Sequence, residues 1–309
     1  MSRYFFLNYL LVYLCLLLPS SAFTQIDDFG GIIHLDSIVV SATRQGFDVN
    51  DFIQMVRKDE SFYKAFKNLH RITFEFENDL YFFDKKGKEK ASYKSHTRQT
   101  SDGDCRQMEV LNEQITGKFY KRKKKHRYYT ALLYEKVFYT EGTICDSAEN
   151  GEYQRKRKKG VAKHIAELEK LIFNPGEKAN VPLIGNKTAI FDKKMQPYYD
   201  YFIESDLYKN EIDAYVFTAK VKPEFLEKKK NKTIIKYLET YFDKSTFNVI
   251  ARTYQLTYEG ALFDFDVQMH VELKKEDGLY FPQIIQYDGN WDVVGKKRER
   301  GKFELRVLK

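Results

Sequence analysis

The chain has 309 residues, 43% apolar and 31% charged, with only 6 Pro. This composition can fill a core and excludes a disordered tail or a collagen-like rod. Its 25 Phe and 23 Tyr favour the pleated, half-buried surfaces of sheets, and its 3 Cys without a Cys-x-x-Cys spacing exclude a disulfide-dense scaffold, a zinc site of that kind and thioredoxin-like chemistry.

Residues 1–22 read as a secretory signal. Arg3 supplies the basic start, Tyr4 to Leu18 the apolar run, and Pro19-Ser20-Ser21-Ala22 the small-residue break, with cleavage expected after Ala22. The run is about 15 residues against the roughly 20 that span a bilayer, which favours a signal over an anchor. Cys15 lies inside the run, which argues against a lipid-modified N-terminus. The expectation is an exported chain of a Gram-negative-type envelope, periplasmic or outer-membrane-associated, with no transmembrane segment after maturation. Cleavage removes one base, Arg3, from a formal charge of +8.

Residues 23–47 form an extended N-terminal segment, and 48–309 a single domain. The β-branched stretch Ile32 to Arg44 resembles the short segment at the start of many TonB-dependent outer-membrane transporters and implies strand addition to an envelope partner. Asp48 offers a helix N-cap before Val49, Phe52, Ile53 and Val56, and a second short helix follows Asp59 with Phe62, Ala65, Phe66 and Leu69 on one side. From Arg71 the period changes to two. Ile72, Phe74 and Phe76 share a face, and Tyr81 to Phe83 starts another strand, with turns at Asn78-Asp79 and Lys85 to Lys88. Strands over Arg106 to Phe119 and Arg127 to Tyr139, joined by a basic turn, complete an antiparallel meander. A helix is expected over Val161 to Phe173, inside a helical insertion of about 161–210 with short helices around Met195 to Ile203. Five strands then follow: Thr233 to Phe242, Phe247 to Tyr258, Leu262 to Leu273, Tyr280 to Tyr287 and Lys302 to Leu308.

Cys105 and Cys145 survive maturation, lie in polar segments and flank one hairpin, so export predicts a disulfide between them. Basic runs occur at Lys121-Arg122-Lys123-Lys124-Lys125-His126-Arg127, Arg155 to Lys159 and Lys228 to Lys230. Export excludes nucleic acid as their partner. They read as solvated turn tips, with anionic lipid headgroups as the alternative for Lys121, Arg122, Lys123, Lys124, Lys125 and Arg127. On the strand Leu262 to Leu273 the odd positions Phe263, Phe265, Val267, Met269 and Val271 form an apolar face that meets either a packed helix or a lipid-like ligand. The even positions Asp264, Asp266, His270 and Glu272 share the other face, which is a solvent face or, alternatively, a metal or acid-base site. The sequence has no His-Glu-x-x-His, no Gly-x-Ser-x-Gly and no phosphate-binding glycine loop; no cofactor is expected.

The order of these elements, with Tyr241-Phe242-Asp243-Lys244-Ser245-Thr246-Phe247-Asn248-Val249-Ile250 as a strand-turn-strand signature and Phe281-Pro282-Gln283-Ile284-Ile285 later, resembles the outer-membrane lipoprotein-sorting (LolA-like) half-barrel superfamily. The segment Phe62 to Leu69 is also similar to the start of uncharacterised bacterial envelope proteins. The resemblance implies an α+β, β-rich fold: a single curved antiparallel sheet with helices on its concave side. It implies a non-enzymatic protein that binds lipid, lipoprotein or an envelope partner. Two alternatives stand beside it: a structural accessory subunit of an outer-membrane complex, bound to an outer-membrane protein, and a metal-dependent hydrolase built on Asp264, Asp266, His270 and Glu272.

Overall fold

Alternation of apolar and polar residues over the C-terminal third sends every second side chain to one face, and long antiparallel strands result. The computed structural model describes residues 49–145, 175, 176, 178, 184–226, 232–260, 263–293 and 297–308. The signal, the extended segment to residue 47, the expected helix 161–173 and the basic runs 155–159 and 228–230 lie outside the described residues.

Among the described residues, eleven strands form one sheet: β1 (Phe74–Phe83), β2 (Glu89–Ser101), β3 (Cys105–Gly117), β4 (Thr143–Cys145), β5 (Tyr199–Tyr208), β6 (Ile212–Val221), β7 (Ile235–Asp243), β8 (Val249–Glu259), β9 (Phe263–Glu276), β10 (Leu279–Val293) and β11 (Glu299–Val307). The order is β4-β3-β2-β1-β11-β10-β9-β8-β7-β6-β5, with every neighbour antiparallel. β4 and β5 end the sheet without pairing to each other, so it is a curved, unclosed half-barrel. The first and last strands meet inside it, Phe76 opposite Val307.

Few helices accompany the sheet: α1 (Val49–Lys58), α2 (Ser61–Asn68), α3 (Tyr129–Phe138) and the single turn α4 (Pro223–Leu226). Ile53, Val56, Phe62, Ala65 and Phe66 are buried, and Asn68 Nδ2 donates to Tyr280 O at 2.7 Å, which fixes α2 on β10. Beside them the segment Ile184 to Met195 packs Phe191 on Phe217 (5.9 Å) while Tyr201 Oη donates to Ile190 O at 2.5 Å. α3 covers β1 and β11, with Tyr134 4.8 Å from the Phe303 ring.

Three local expectations are corrected. Asn78-Asp79 is no turn: β1 runs through it, because the buried Asn78 amide donates to Ser95 Oγ (3.2 Å) and Thr97 Oγ1 (3.1 Å) of β2. Residues 129–138 form a helix where a strand was expected; Ala131, Leu132, Leu133, Glu135 and Lys136 favour a helix, and Thr130, Ala131 and Tyr134 supply one buried stripe. Tyr199–Tyr208, expected within a helical insertion, is the edge strand β5, paired along its length with β6 through Tyr199, Tyr201 and their neighbours. The turn Gln196–Tyr198 is all that remains of the short helices expected there.

Candidate functional site

The apolar face of β9 lies at the centre of the core. Phe265, Val267, Met269 and Val271 are at most 2% exposed, and Phe263 opens the strand. The Phe265 ring stands 4.9 Å from Trp291 and 6.0 Å from Tyr258, and Tyr254 Oη donates to Met269 Sδ at 2.9 Å. Trp291 Nε1 donates in turn to Tyr287 Oη at 2.5 Å, and Tyr287 stacks on Phe303 at 4.7 Å. Gly289 makes this layer possible: a Cβ there would lie 1.9 Å from Tyr287 Oη, so only glycine lets the phenol lie flat across the strand.

One cation is enclosed in the same face, at a position that no sequence pattern marks. Arg252 of β8 donates from Nε to Thr240 Oγ1 (2.9 Å), stands over the Phe62 ring at 4.3 Å and lies 3.7 Å from Asp59 Oδ2. Burial pulls its guanidinium down to about 10 against the attraction of Asp59. Asp59 Oδ1 meanwhile accepts from Ser61 N (3.1 Å) and Ser61 Oγ (2.6 Å), so the pair joins the start of α2 to the middle of the sheet.

Toward β3 the face changes character. Register places Met108, Val110, Glu113 and Ile115 of β3 on the side of Gln99, Thr97, Ser95 and Tyr93 of β2. Here Val110 is 43% and Ile115 41% exposed, although both point to the face that carries the core elsewhere. Beside them on the same face runs a hydroxyl network: Tyr134 Oη donates to Asn78 Oδ1, and Ser95 Oγ meets Tyr139 Oη at 2.6 Å. Burial pushes the phenols of Tyr93, Tyr134 and Tyr139 up, so they stay protonated and able to donate. β4 pairs only with residues 105–107, which leaves the outer edge of β3 from Met108 to Gly117 without a strand partner among the described residues.

The even face of β9 divides its ionisable groups among separate neighbours. Asp264 takes two hydrogen bonds from Arg298 Nη2 (2.9 and 2.8 Å), and Asp266 accepts from Gln255 Nε2 and Thr257 Oγ1, each at 3.1 Å. His270 meets Thr253 Oγ1 at 2.8 Å and Glu272 Oε1 at 3.3 Å, while Lys209 Nζ reaches Glu272 Oε2 at 2.5 Å. Burial raises the Glu272 carboxyl, but the hydrogen bonds from Lys209 and His270 outweigh it and hold it below its ordinary value. The four groups do not converge, and no three metal-ligating side chains come together among the described residues.

The basic turn is a tight hairpin. Lys121 N donates to Lys125 O (2.7 Å), Arg127 N to Phe119 O (3.2 Å), and Lys123 and Lys124 adopt left-handed φ of 58° and 51°. His126 is tucked against Phe119 and Tyr120 and meets Glu135 Oε2 at 2.7 Å, while Lys121, Arg122, Lys123, Lys124, Lys125 and Arg127 are exposed. At the other end of β3, Cys105 and Cys145 are directly opposite across the β3–β4 pair and are joined by a disulfide. No helix among the described residues is long and apolar enough to cross a membrane.

No protein-family model matches the chain, and no curated protein matches it. Solved structures do. A putative outer membrane lipoprotein-sorting protein domain of Vibrio parahaemolyticus matches at 8% identity and a TM-score of 0.25, over 80% of this chain and 89% of that one. A LolA superfamily protein of Nitrosomonas europaea matches at 8% identity and 0.22, over 81% and 93%, and a DUF1329 family protein of Desulfovibrio piger at 10% identity and 0.23, over 80% and 92%. Such TM-scores mean that the sheets do not superpose closely, and the functional reading rests on the residues of this chain.

Proposed function

We propose that the protein is a non-enzymatic component of the cell envelope that holds an apolar ligand, a lipid or the acyl part of a lipoprotein, along the β3 rim of its half-barrel. The observation that carries the reading is the exposure of Val110 and Ile115 on the face of the sheet that is elsewhere packed. Polar partners for a headgroup lie beside them on the same face, in Ser95, Tyr93, Tyr139 and Glu113. Phe265, Val267, Met269 and Val271 of β9, five strands from β3, belong to the packed core. Residues 1–22, read as an export signal, support an envelope location.

Native mass spectrometry of the protein taken from its own envelope fraction tests the reading. Co-purifying lipid is expected, and Val110→Asp with Ile115→Asp should remove it while shifting stability by no more than about 0.5 kcal/mol, since both side chains are exposed. Lipid-free wild-type protein, or lipid retained by the double variant, overturns it. The open edge Met108 to Gly117 favours a second reading, an accessory subunit that receives a partner strand there. In that case the same spectra show a bound polypeptide and no lipid.

A further inference from the structure

The fold gathers cations that the sequence keeps apart. Ala91 pairs with Gly117, Phe83 with both Glu89 and Arg300, and Trp291 with Glu299, so the connections that close β1, leave β3 and enter β11 stand side by side at one end of the sheet. Arg300 Nη1 donates to Lys85 O at 3.2 Å, and Gly117, at φ 61°, packs so close to the start of β2 that a Cβ would lie 2.0 Å from Lys90 O. Two stretches therefore share one surface, Lys85, Lys86, Lys88 and Lys90, and Lys297 with Arg300, and the connection that carries Lys121 to Lys125 leaves β3 beside them. Five neighbouring strands, β3 to β10, set its width at about 20 Å.

This positive charge is largely uncompensated. Asp84 accepts from the backbone N–H groups of Lys86 (2.8 Å) and Lys88 (3.0 Å) and is one negative charge set against Lys85, Lys86, Lys88 and Lys90, and Glu89 accepts from Thr116 Oγ1 (3.2 Å). Among the described residues of this end, Arg298 is the cation that is ion-paired, with Asp264 and Asp292. No ion pair holds Lys85, Lys86, Lys88 or Lys90, nor any cation of the run 121–125, among the described residues. Farther along the same end, burial lowers the amine of Lys187 and the charge of Lys232 lowers it further. The opposite end is mixed: Asp102 and Asp104, Glu211 and Asp213, and Glu276 and Asp277 stand there with Lys209, Lys244, Lys274 and Lys275, of which Lys209, Lys244 and Lys274 are ion-paired. Charge that served only solubility would not be sorted by end.

We propose that this end of the sheet docks on an anionic bilayer surface, through turns contributed by three separate stretches of the chain. The cations sit on turn tips across a broad front and do not converge on a point, which suits a plane of headgroups and not a single small phosphate. A bilayer carrying acidic lipid concentrates negative potential within about 10 Å of its surface at 0.1 M salt, and each base brought there strengthens partition roughly fivefold. The proposal goes beyond the ligand reading and does not depend on it.

Cosedimentation of the full chain with vesicles tests it, using equal parts phosphatidylglycerol and phosphatidylethanolamine against phosphatidylcholine alone. Binding only to the acidic vesicles, weakening with salt, is expected. Lys85→Gln/Lys86→Gln/Lys88→Gln and, separately, Lys121→Gln/Arg122→Gln/Lys125→Gln should each lower partition roughly 100-fold. The second set leaves Lys123 and Lys124, with their positive φ, in place. Lys274→Gln/Lys275→Gln at the opposite end should bind as wild type. Equal binding to phosphatidylcholine overturns the proposal. So does full binding by the 85–88 variant, which would reduce the surface to a single run, or displacement by inorganic phosphate at matched ionic strength, which would make it a small-anion site.

Discussion

Glu299, at the start of the last strand, closes the N-terminus of α3: one carboxylate oxygen accepts from Thr130 N and the other from Tyr129 N, each at 2.7 Å. Tyr128, at the cap position, makes no side-chain cap of its own, so the helix borrows its acceptor from a residue far along the chain. Glu299→Ala should cost about 1–2 kcal/mol, and Glu299→Gln, which keeps one acceptor oxygen, less. Thermal melts of the two variants check this; equal stability in Glu299→Ala and wild type would show that the cap contributes nothing.

Arg252 and Asp59 are expected to behave as a coupled pair. Arg252→Ala leaves a buried carboxylate beside a cavity and should cost about 3–5 kcal/mol. Arg252→Met with Asp59→Asn removes both charges, keeps the volume and retains an acceptor for Ser61, so it should recover most of the loss. Urea denaturation of the double variant and of the Arg252→Met and Asp59→Asn single variants gives the cycle, and additive costs would mean that the ion pair has no energetic coupling.

Phe265→Ala removes a ring packed on Trp291 and Tyr258 and should cost about 3–5 kcal/mol. With Val110 and Ile115 intact, bound lipid should stay with the folded fraction. A melt unchanged by this substitution would show that the ring borders a void.

Stability should fall on both sides of neutral pH. Glu75 is held below the usual carboxylate range by Arg98 and then His96, Asp84 by the N–H groups of Lys88 and Lys86, and Asp102 by those of Cys105 and Asp104. A depressed carboxyl contributes stability above its unfolded value, and that contribution is lost as pH falls through the folded one, here below about 4. Burial raises the phenols of Tyr134, Tyr139 and Tyr254, which contribute below about 10 and lose that contribution as pH rises. Urea midpoints across the pH range measure both limbs. Glu75→Gln should flatten the acid limb and leave the alkaline one unchanged.

Where local pattern and burial agreed, the sequence was readable. The alternation from Phe263 to Leu273 marks β9, the spacing of Phe62, Ala65 and Phe66 marks α2, and the polar flanks of Cys105 and Cys145 mark the disulfide. Where the deciding partner is distant, it was not. Asn78 looks like a turn residue until Ser95 and Thr97 satisfy it, and α3 looks like a strand until Glu299 supplies its cap. The rim at Val110 and Ile115 was hidden for a further reason. Alternation shows which side chains share a face, and only the neighbouring elements decide whether that face is covered.

The seam between β1 and β11 bears on how the chain reaches this structure. The meander β1 to β4 runs outward from it and β5 to β10 runs from the far edge back to it, and Phe76 must wait for Val307 before its strand has a second neighbour. As residues emerge during synthesis or passage through a membrane, the N-terminal meander is left with the interior strand of the finished sheet as an open, aromatic-rich border, Phe74, Phe76, Leu80 and Phe82. Closure needs the longest loop in the fold, a slow step that holds back the finished sheet until the chain is almost fully released. A polypeptide with such an order of assembly needs shielding at that border until its last strand arrives.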